Sequence, residues 1–159
     1  MNKAVFLDRD GVINEVKKNK DFVYKKEHVL ILPGVVEALK ILKDRGYKII
    51  CVTNQSVIAR GKSTESKINE LNEYINSRIG NLIDKFYLCP HHPEDHPDVP
   101  PHAKKYRVSC ECRKPKPGML FQAAKDFNLD LKNSWMVGDM VTDIIAGKSA
   151  GCKTILVKS

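Results

Sequence analysis

No apolar run in this chain approaches the roughly 20 residues that a membrane-crossing helix needs, so an α-helical membrane protein is set aside. The N-terminus also lacks the apolar core of a signal peptide, because Met1-Asn2-Lys3 leads only into Ala4-Val5-Phe6-Leu7 before Asp8. The expected address is therefore the cytoplasm. Aromatic residues make up only 7% of the chain, and no basic helical face alternates with them, so a nucleic-acid partner is not expected. Acidic residues are outnumbered, 19 Asp and Glu against 27 Lys and Arg, and the net charge of +8 suits small anionic partners such as phosphorylated metabolites. The scattered lysines (Lys17, Lys18, Lys20, Lys25, Lys26, Lys40, Lys43) read equally well as a solvated surface. Internal repeats and low-complexity linkers are missing. So is an even cysteine count: five cysteines in such a chain argue against a disulfide framework. Cys51 and Cys152 lie in apolar stretches and read as buried thiols.

Short apolar runs alternate with helical patterns along the whole chain. Residues 4–7, 48–53, 86–88, 135–137 and 154–157 read as strands. Residues 34–45, 65–79, 117–127 and 142–150 read as helices, the second announced by Ser63-Thr64-Glu65-Ser66 as a cap. Five prolines within residues 90–101 predict neither helix nor interior strand there. The alternation predicts an α/β protein, one Rossmann-like three-layer domain over residues 1–159 with a central parallel sheet. In such sheets ligands gather at the carboxyl ends of strands.

The polar motifs fall at those ends. The first strand runs into Asp8-Arg9-Asp10-Gly11 and the fourth into Gly138-Asp139, with Asp143 one helical turn on. Carboxylates converging there would repel one another without a cation, and hard oxygen ligands suit magnesium. The second strand ends in Thr53-Asn54-Gln55-Ser56, which supplies hydroxyl and amide groups. Lys114, in Cys112-Arg113-Lys114-Pro115, offers positive charge. Together these groups fit phosphoryl transfer, which needs charge neutralisation and an in-line nucleophile. Each motif alone would be an ordinary turn or cap; their joint order is the signal.

Cys89-Pro90-His91 and Cys110-Glu111-Cys112 flank the proline-rich stretch. Three thiolates and an imidazole make a closed tetrahedral zinc site, which would clip a loop at about 89–112 that has no ladder of its own. Spacing favours His91, while His92 stays open as the nitrogen ligand and His96 and His102 are spare candidates.

On these motifs the chain resembles the haloacid dehalogenase superfamily over nearly its whole length. The resemblance implies a magnesium-dependent phosphomonoesterase with Asp8 as nucleophile and Asp10 as general acid and base. It places magnesium on Asp8, the Asp10 carbonyl and Asp139, with Asp143 in support, and the phosphoryl oxygens on Thr53 and Lys114. No separate cap domain fits between residues 11 and 47 or after residue 53. The Cys-Pro-His and Cys-x-Cys-Arg-Lys-Pro signature resembles the zinc-loop subgroup shared by heptose-bisphosphate and histidinol-phosphate phosphatases. The heptose branch is favoured by residues 6–14, Leu32-Pro33-Gly34-Val35 and the run from Thr53 to Gly61. It implies a small sugar bisphosphate as substrate, bound with the help of Asn54, Gln55, Ser56 and Arg113, in a monomeric enzyme. Histidinol phosphate is the alternative substrate; a nucleic-acid end-processing phosphatase or a zinc-loop binding module is a more distant one. The chain departs from the subgroup at Val57, where glycine is usual, and at Met140, where lysine is common. The role of the lysine-rich residues 15–22 is not read from the sequence.

Overall fold

In the computed structural model, which describes residues 1–17 and 22–158, the apolar runs become five parallel strands. These are β1 (Lys3–Leu7), β2 (Tyr47–Asn54), β3 (Lys85–Cys89), β4 (Trp135–Gly138) and β5 (Lys153–Leu156). Residues 18–21, half of the basic segment at 15–22 and including Lys18 and Lys20, lie outside the described residues. The strand order is β3-β2-β1-β4-β5. Helices α1 (Val35–Asp44), α2 (Glu65–Arg78), α3 (Gly118–Phe127) and α4 (Val141–Ser149) connect the strands.

Successive side chains of a strand point to opposite faces, so β1 feeds two cores at once. Ala4 and Phe6 pack with Ile50, Val52, Met136 and the α3 residues Leu120 and Ala123. Val5 and Leu7 pack on the other face with Ile49, Cys51, Leu39 of α1 and Ile68, Leu71 and Ile75 of α2. The register carries this through the sheet: Phe6 lies between Ile50 and Met136. Both faces are covered, which explains why the strands read as unbroken apolar runs. The result is a single three-layer α/β domain. Cys51 and Cys152 are buried, and burial pushes both thiols up.

Local signals behave as their chemistry dictates. Thr64 caps α2 by accepting from the Lys67 amide at 3.2 Å. Pro117 stands at the cap just before α3, one place earlier than the pattern suggests. The proline-rich segment holds one surprise, a 3-10 helix at Pro101–Tyr106. It opens on the last of the clustered prolines, where a fixed φ suits a first helical turn and the missing amide has no partner to lose.

The chain leaves β1 towards β2 and β3 on one side, then crosses back to β4 and β5 on the other. Strand order therefore reverses between β1 and β4, whose carboxyl ends carry Asp8 and Asp139. That crevice is where a sheet of this type binds ligands.

Gly147 fixes how closely α4 lies on the sheet. A Cβ there would meet Met136 Cβ at 2.6 Å and Thr154 Cγ2 at 2.8 Å. Gly147→Val is expected to lower stability by about 2 kcal/mol in urea unfolding, because overpacking outweighs a helix-propensity gain of under about 1 kcal/mol. Unchanged stability would show that α4 can lift from the sheet without penalty.

Candidate active site and metal centre

At the end of β1 the chain turns back sharply, and the amides of Val12, Ile13 and Asn14 all donate to the Arg9 carbonyl. Gly11 makes the turn with φ +86°, and a Cβ there would run into the Asp139 carboxylate. Glycine is thus required twice, for its conformation and for the close approach of β1 and β4.

Lys114 is 3% exposed, and its ammonium lies 3.0 Å from Asp8 Oδ1, 2.6 Å from Asp143 Oδ1 and 2.8 Å from the Val52 carbonyl. Burial works against its charge, but Asp8 and Asp143 outweigh that and hold the lysine above its usual value. Asp8 is pushed up to about 7, first by burial; Asp143 and Asp10 add to the rise, and Lys114 opposes it. Three carboxylates with one ammonium leave an excess of negative charge. Asp8, Asp139 and Asp143 bring carboxylate oxygens within 4.8 Å of one another, an all-oxygen set able to hold a hard dication. Asp143 already spends Oδ1 on Lys114 and Oδ2 on the Met140 amide at 3.1 Å, which suits a supporting rather than a liganding role.

The cleft above these groups has a volume of about 480 Å³ and is lined by Asp8, Asp10, Asn54, Arg113, Lys114 and Asp139, among others. Asn54 clamps the Lys114 backbone in both directions, donating to its carbonyl at 3.1 Å and accepting from its amide at 3.0 Å. Thr53 and Gln55 lie beneath the lining: Thr53 is buried, and Gln55 Nε2 donates to its Oγ1 at 2.8 Å and to Asp10 Oδ2 at 3.1 Å. Ser56 is buried in the following turn. Val57 is fully buried in the apolar core beside α2 and takes no left-handed conformation, so this turn does without glycine. Met140 is exposed at the cleft rim.

Reading the sequence missed Arg9 and Asn14. Both grip Asp10 Oδ1, at 3.0 to 3.1 Å. The available signal was a charged residue between two aspartates at the end of an otherwise apolar strand.

Cys89, His91, Cys110 and Cys112 converge at the end of β3. Cys89 Sγ lies 3.6 Å from both His91 Nδ1 and Cys110 Sγ, and Cys112 Sγ lies 3.4 Å from His91 Nδ1 and 3.5 Å from Cys110 Sγ. A tetrahedron with metal–sulfur bonds of about 2.3 Å has sulfur–sulfur edges of about 3.8 Å, so the donor set fits zinc. The Cys89–Cys112 edge is shorter, at 2.9 Å. That contact with Cys89 is the main reason Cys112 falls to about 5, while Cys89 is pushed up. His92 turns away, its Nδ1 accepting from the Glu94 amide. His96 and His102 are exposed.

Two links tie this cluster to the cleft. Arg113 donates its amide to Cys110 Sγ at 3.4 Å and its guanidinium to the His91 carbonyl at 3.2 Å. The Gln55 amide donates to the Cys89 carbonyl at 2.8 Å.

Carboxylates and a buried lysine at the switch point of a five-stranded parallel sheet define a hydrolase of the haloacid dehalogenase type. The profile of the HAD-hydrolase-like family matches residues 111–159. The D-glycero-beta-D-manno-heptose-1,7-bisphosphate 7-phosphatase of Pasteurella multocida is 43% identical, with 100% of this chain and 83% of that protein covered. The enzyme of the same name from Haemophilus ducreyi is 42% identical, over 99% of this chain and 84% of its own. Among solved structures, D,D-heptose 1,7-bisphosphate phosphatase from B. bronchiseptica, complexed with magnesium and phosphate, superposes with a TM-score of 0.81. It is 31% identical, and the match covers 97% of this chain and 79% of that one. The chain belongs to the haloacid dehalogenase superfamily, in the family of these heptose-bisphosphate phosphatases.

Cys110→Ser is expected to lower the content of bound transition metal and the melting temperature together, measured by elemental analysis and calorimetry. An unchanged metal content would remove the Cys/His cluster as a metal centre.

Proposed function

We propose that this protein hydrolyses the 7-phosphate of D-glycero-D-manno-heptose 1,7-bisphosphate through an aspartyl-phosphate on Asp8. The observation that carries the reading is the Lys114 ammonium held between Asp8 and Asp143 at the floor of a cleft that also holds Asp10. In this reading an Asp8 oxygen forms the new bond to phosphorus while the bond to the sugar oxygen breaks, its electron pair leaving with that oxygen. Asp10 gives the departing oxygen its proton, then takes one from the water that hydrolyses the intermediate. Lys114 stabilises the transferring phosphoryl group, and Thr53 offers it a hydroxyl from beneath the cleft. Magnesium, held by Asp8, Asp139 and the Asp10 carbonyl with Asp143 in support, supplies neutralising charge to the phosphoryl oxygens when bound.

Arg113 is the natural contact for the second phosphate, since a planar guanidinium at the cleft edge matches phosphate geometry in a way an ammonium does not. Asn54 acts indirectly in this scheme by holding the Lys114 segment, and Gln55 by holding Asp10. Zinc on Cys89, His91, Cys110 and Cys112 shapes the segment at 89–112, and through Arg113 it sets one wall of the cleft. A cationic histidinol amine gains nothing from that arginine or from the net charge of +8, so a doubly anionic sugar is the better fit. A cytoplasmic, monomeric enzyme with a single domain over residues 1–159 completes the reading. No helix among the described residues is long and apolar enough to cross a membrane.

Phosphate release with magnesium, from both anomers of the heptose bisphosphate, histidinol phosphate, fructose 1,6-bisphosphate and a 3′-phosphorylated oligonucleotide, tests the substrate. The highest kcat/KM is expected for the heptose bisphosphate, and for its β anomer, which the curated relatives carry in their names. A preference for histidinol phosphate would keep the chemistry and overturn the substrate. Asp8→Asn is expected to abolish turnover with fold and zinc content intact; substantial remaining activity sinks the nucleophile.

The pH dependence follows from the raised Asp8 value. Between an unfolded value of about 4 and a folded value of about 7, the native metal-free protein binds more protons than the unfolded chain, so Asp8 detracts from stability as pH rises. A dication offsets the cost of charging buried Asp8 only once Asp8 is ionised. Magnesium should therefore raise the melting temperature more at pH 8 than at pH 5. An equal shift at both would separate the metal from Asp8.

A further inference from the structure

We propose that Arg9 is a positioning residue for the acid and base carboxylate: it aims Asp10 by anchoring it to α2 and to the backbone at Val23. The proposal rests on the reading of Asp10 as the proton donor and deepens it.

Arg9 follows Asp8 and precedes Asp10 at a strand end, where alternation sends its side chain away from the cleft. It is fully buried, at 0% exposure. An apolar residue would fill that space without stripping water from a charge, so a buried guanidinium is explained by what it holds. Its Nε donates to Asp10 Oδ1 at 3.1 Å, and one terminal nitrogen lies 3.0 Å from the same oxygen. That nitrogen also donates to the Val23 carbonyl at 2.5 Å, and the other donates to Asn72 Oδ1 on α2 at 3.0 Å. Among the described residues the carboxylate paired with this guanidinium is Asp10.

Asp10 is held from further directions as well. Asn14 Nδ2 donates to Oδ1 at 3.0 Å, and Gln55 Nε2 donates to Oδ2 at 3.1 Å. Both oxygens are thereby fixed from β1, from the turn after it and from the end of β2. Of these holders, Arg9 reaches furthest, because its rigid planar fork joins Asp10 to two elements that do not touch the reacting atoms. A carboxylate free to swing by about 1 Å loses on the order of 100-fold in a step that depends on its placement.

A purely structural Arg9 would also destabilise the fold when replaced, so the test must read the proton donor itself. An alkyl leaving group needs its oxygen protonated as the bond to phosphorus breaks; 4-nitrophenolate leaves without help. The value of kcat/KM reports steps through that cleavage and not the later hydrolysis of the intermediate. It is measured with the heptose bisphosphate and with 4-nitrophenyl phosphate for wild type, Arg9→Met, Arg9→Lys, Asn72→Ala and Asp10→Asn, with circular dichroism as the check on folding. Arg9→Met is expected to lose about 100-fold with the sugar phosphate and under about 10-fold with the aryl phosphate. Arg9→Lys, which keeps the charge without the fork, should show the same imbalance in weaker form. Asn72→Ala, which removes only the far anchor, should show a smaller one still. If Arg9→Met does not fold, Arg9→Lys carries the test by the same criterion. Equal losses on both substrates in a folded Arg9 variant overturn the proposal. Equal losses in Asp10→Asn would overturn the acid and base reading instead, and the two failures are told apart by that variant alone.

Discussion

The ammonium of Lys114 sits within 3.0 Å of Asp8, Asp143 and the Val52 carbonyl, almost wholly out of water. Breaking one partner of a buried pair leaves an uncompensated charge, which costs roughly 3–5 kcal/mol, so the groups around it are not free to drift. That constraint draws together four pieces of the chain that are far apart in sequence: the end of β1, the middle of β2, the segment before α3 and the start of α4. Asn54 adds a second grip on the same segment through its paired hydrogen bonds. The crevice at the switch point is generic to the sheet, whereas this lysine makes it a site with fixed charge.

The Cys/His cluster is continuous with that site. Cys110 and the His91 carbonyl hold Arg113, which immediately precedes Lys114, and the Cys89 carbonyl holds Gln55, which reaches Asp10. A segment rich in proline cannot be held by backbone ladders, so its shape is delegated to side chains at its two ends. Those ends are also the supports of the cleft wall. Loss of the cluster would therefore loosen the position of Arg113 before it unfolded the sheet, whose cores on either face contain most of the buried apolar residues.

Much of this was legible in the residues themselves. The strands and helices showed because both sheet faces are covered, giving unbroken apolar runs between helical stripes. Asp8, Asp139 and Asp143 showed as carboxylates at or just after strand ends, Lys114 as a lysine just before a helix, and the cysteines by their pairing across the proline stretch. Thr53 and Gln55 were legible as polar residues but not as buried ones, since a strand end looks alike whether its side chains face the cleft or lie beneath it. Arg9 and Asn14 were hidden for a related reason. A charged residue at the end of a strand ordinarily reaches solvent, and only the packing of α2 and the segment at Val23 shows that Arg9 does not. The 3-10 turn at Pro101–Tyr106 escaped because proline was weighed as a breaker, while at a first turn it is tolerated.

The sequence by itself determined the class of fold, the chemical types gathered at the strand ends and the composition of the Cys/His cluster. These follow from periodicity and side-chain chemistry, which are local properties. Only the tertiary structure decided which oxygen of each carboxylate faces which donor, that Asp143 is spent on Lys114 and the Met140 amide, and that Arg9 turns inward to hold Asp10. Those outcomes depend on burial and on distances of about 3 Å between residues as many as 106 positions apart, which no local pattern encodes.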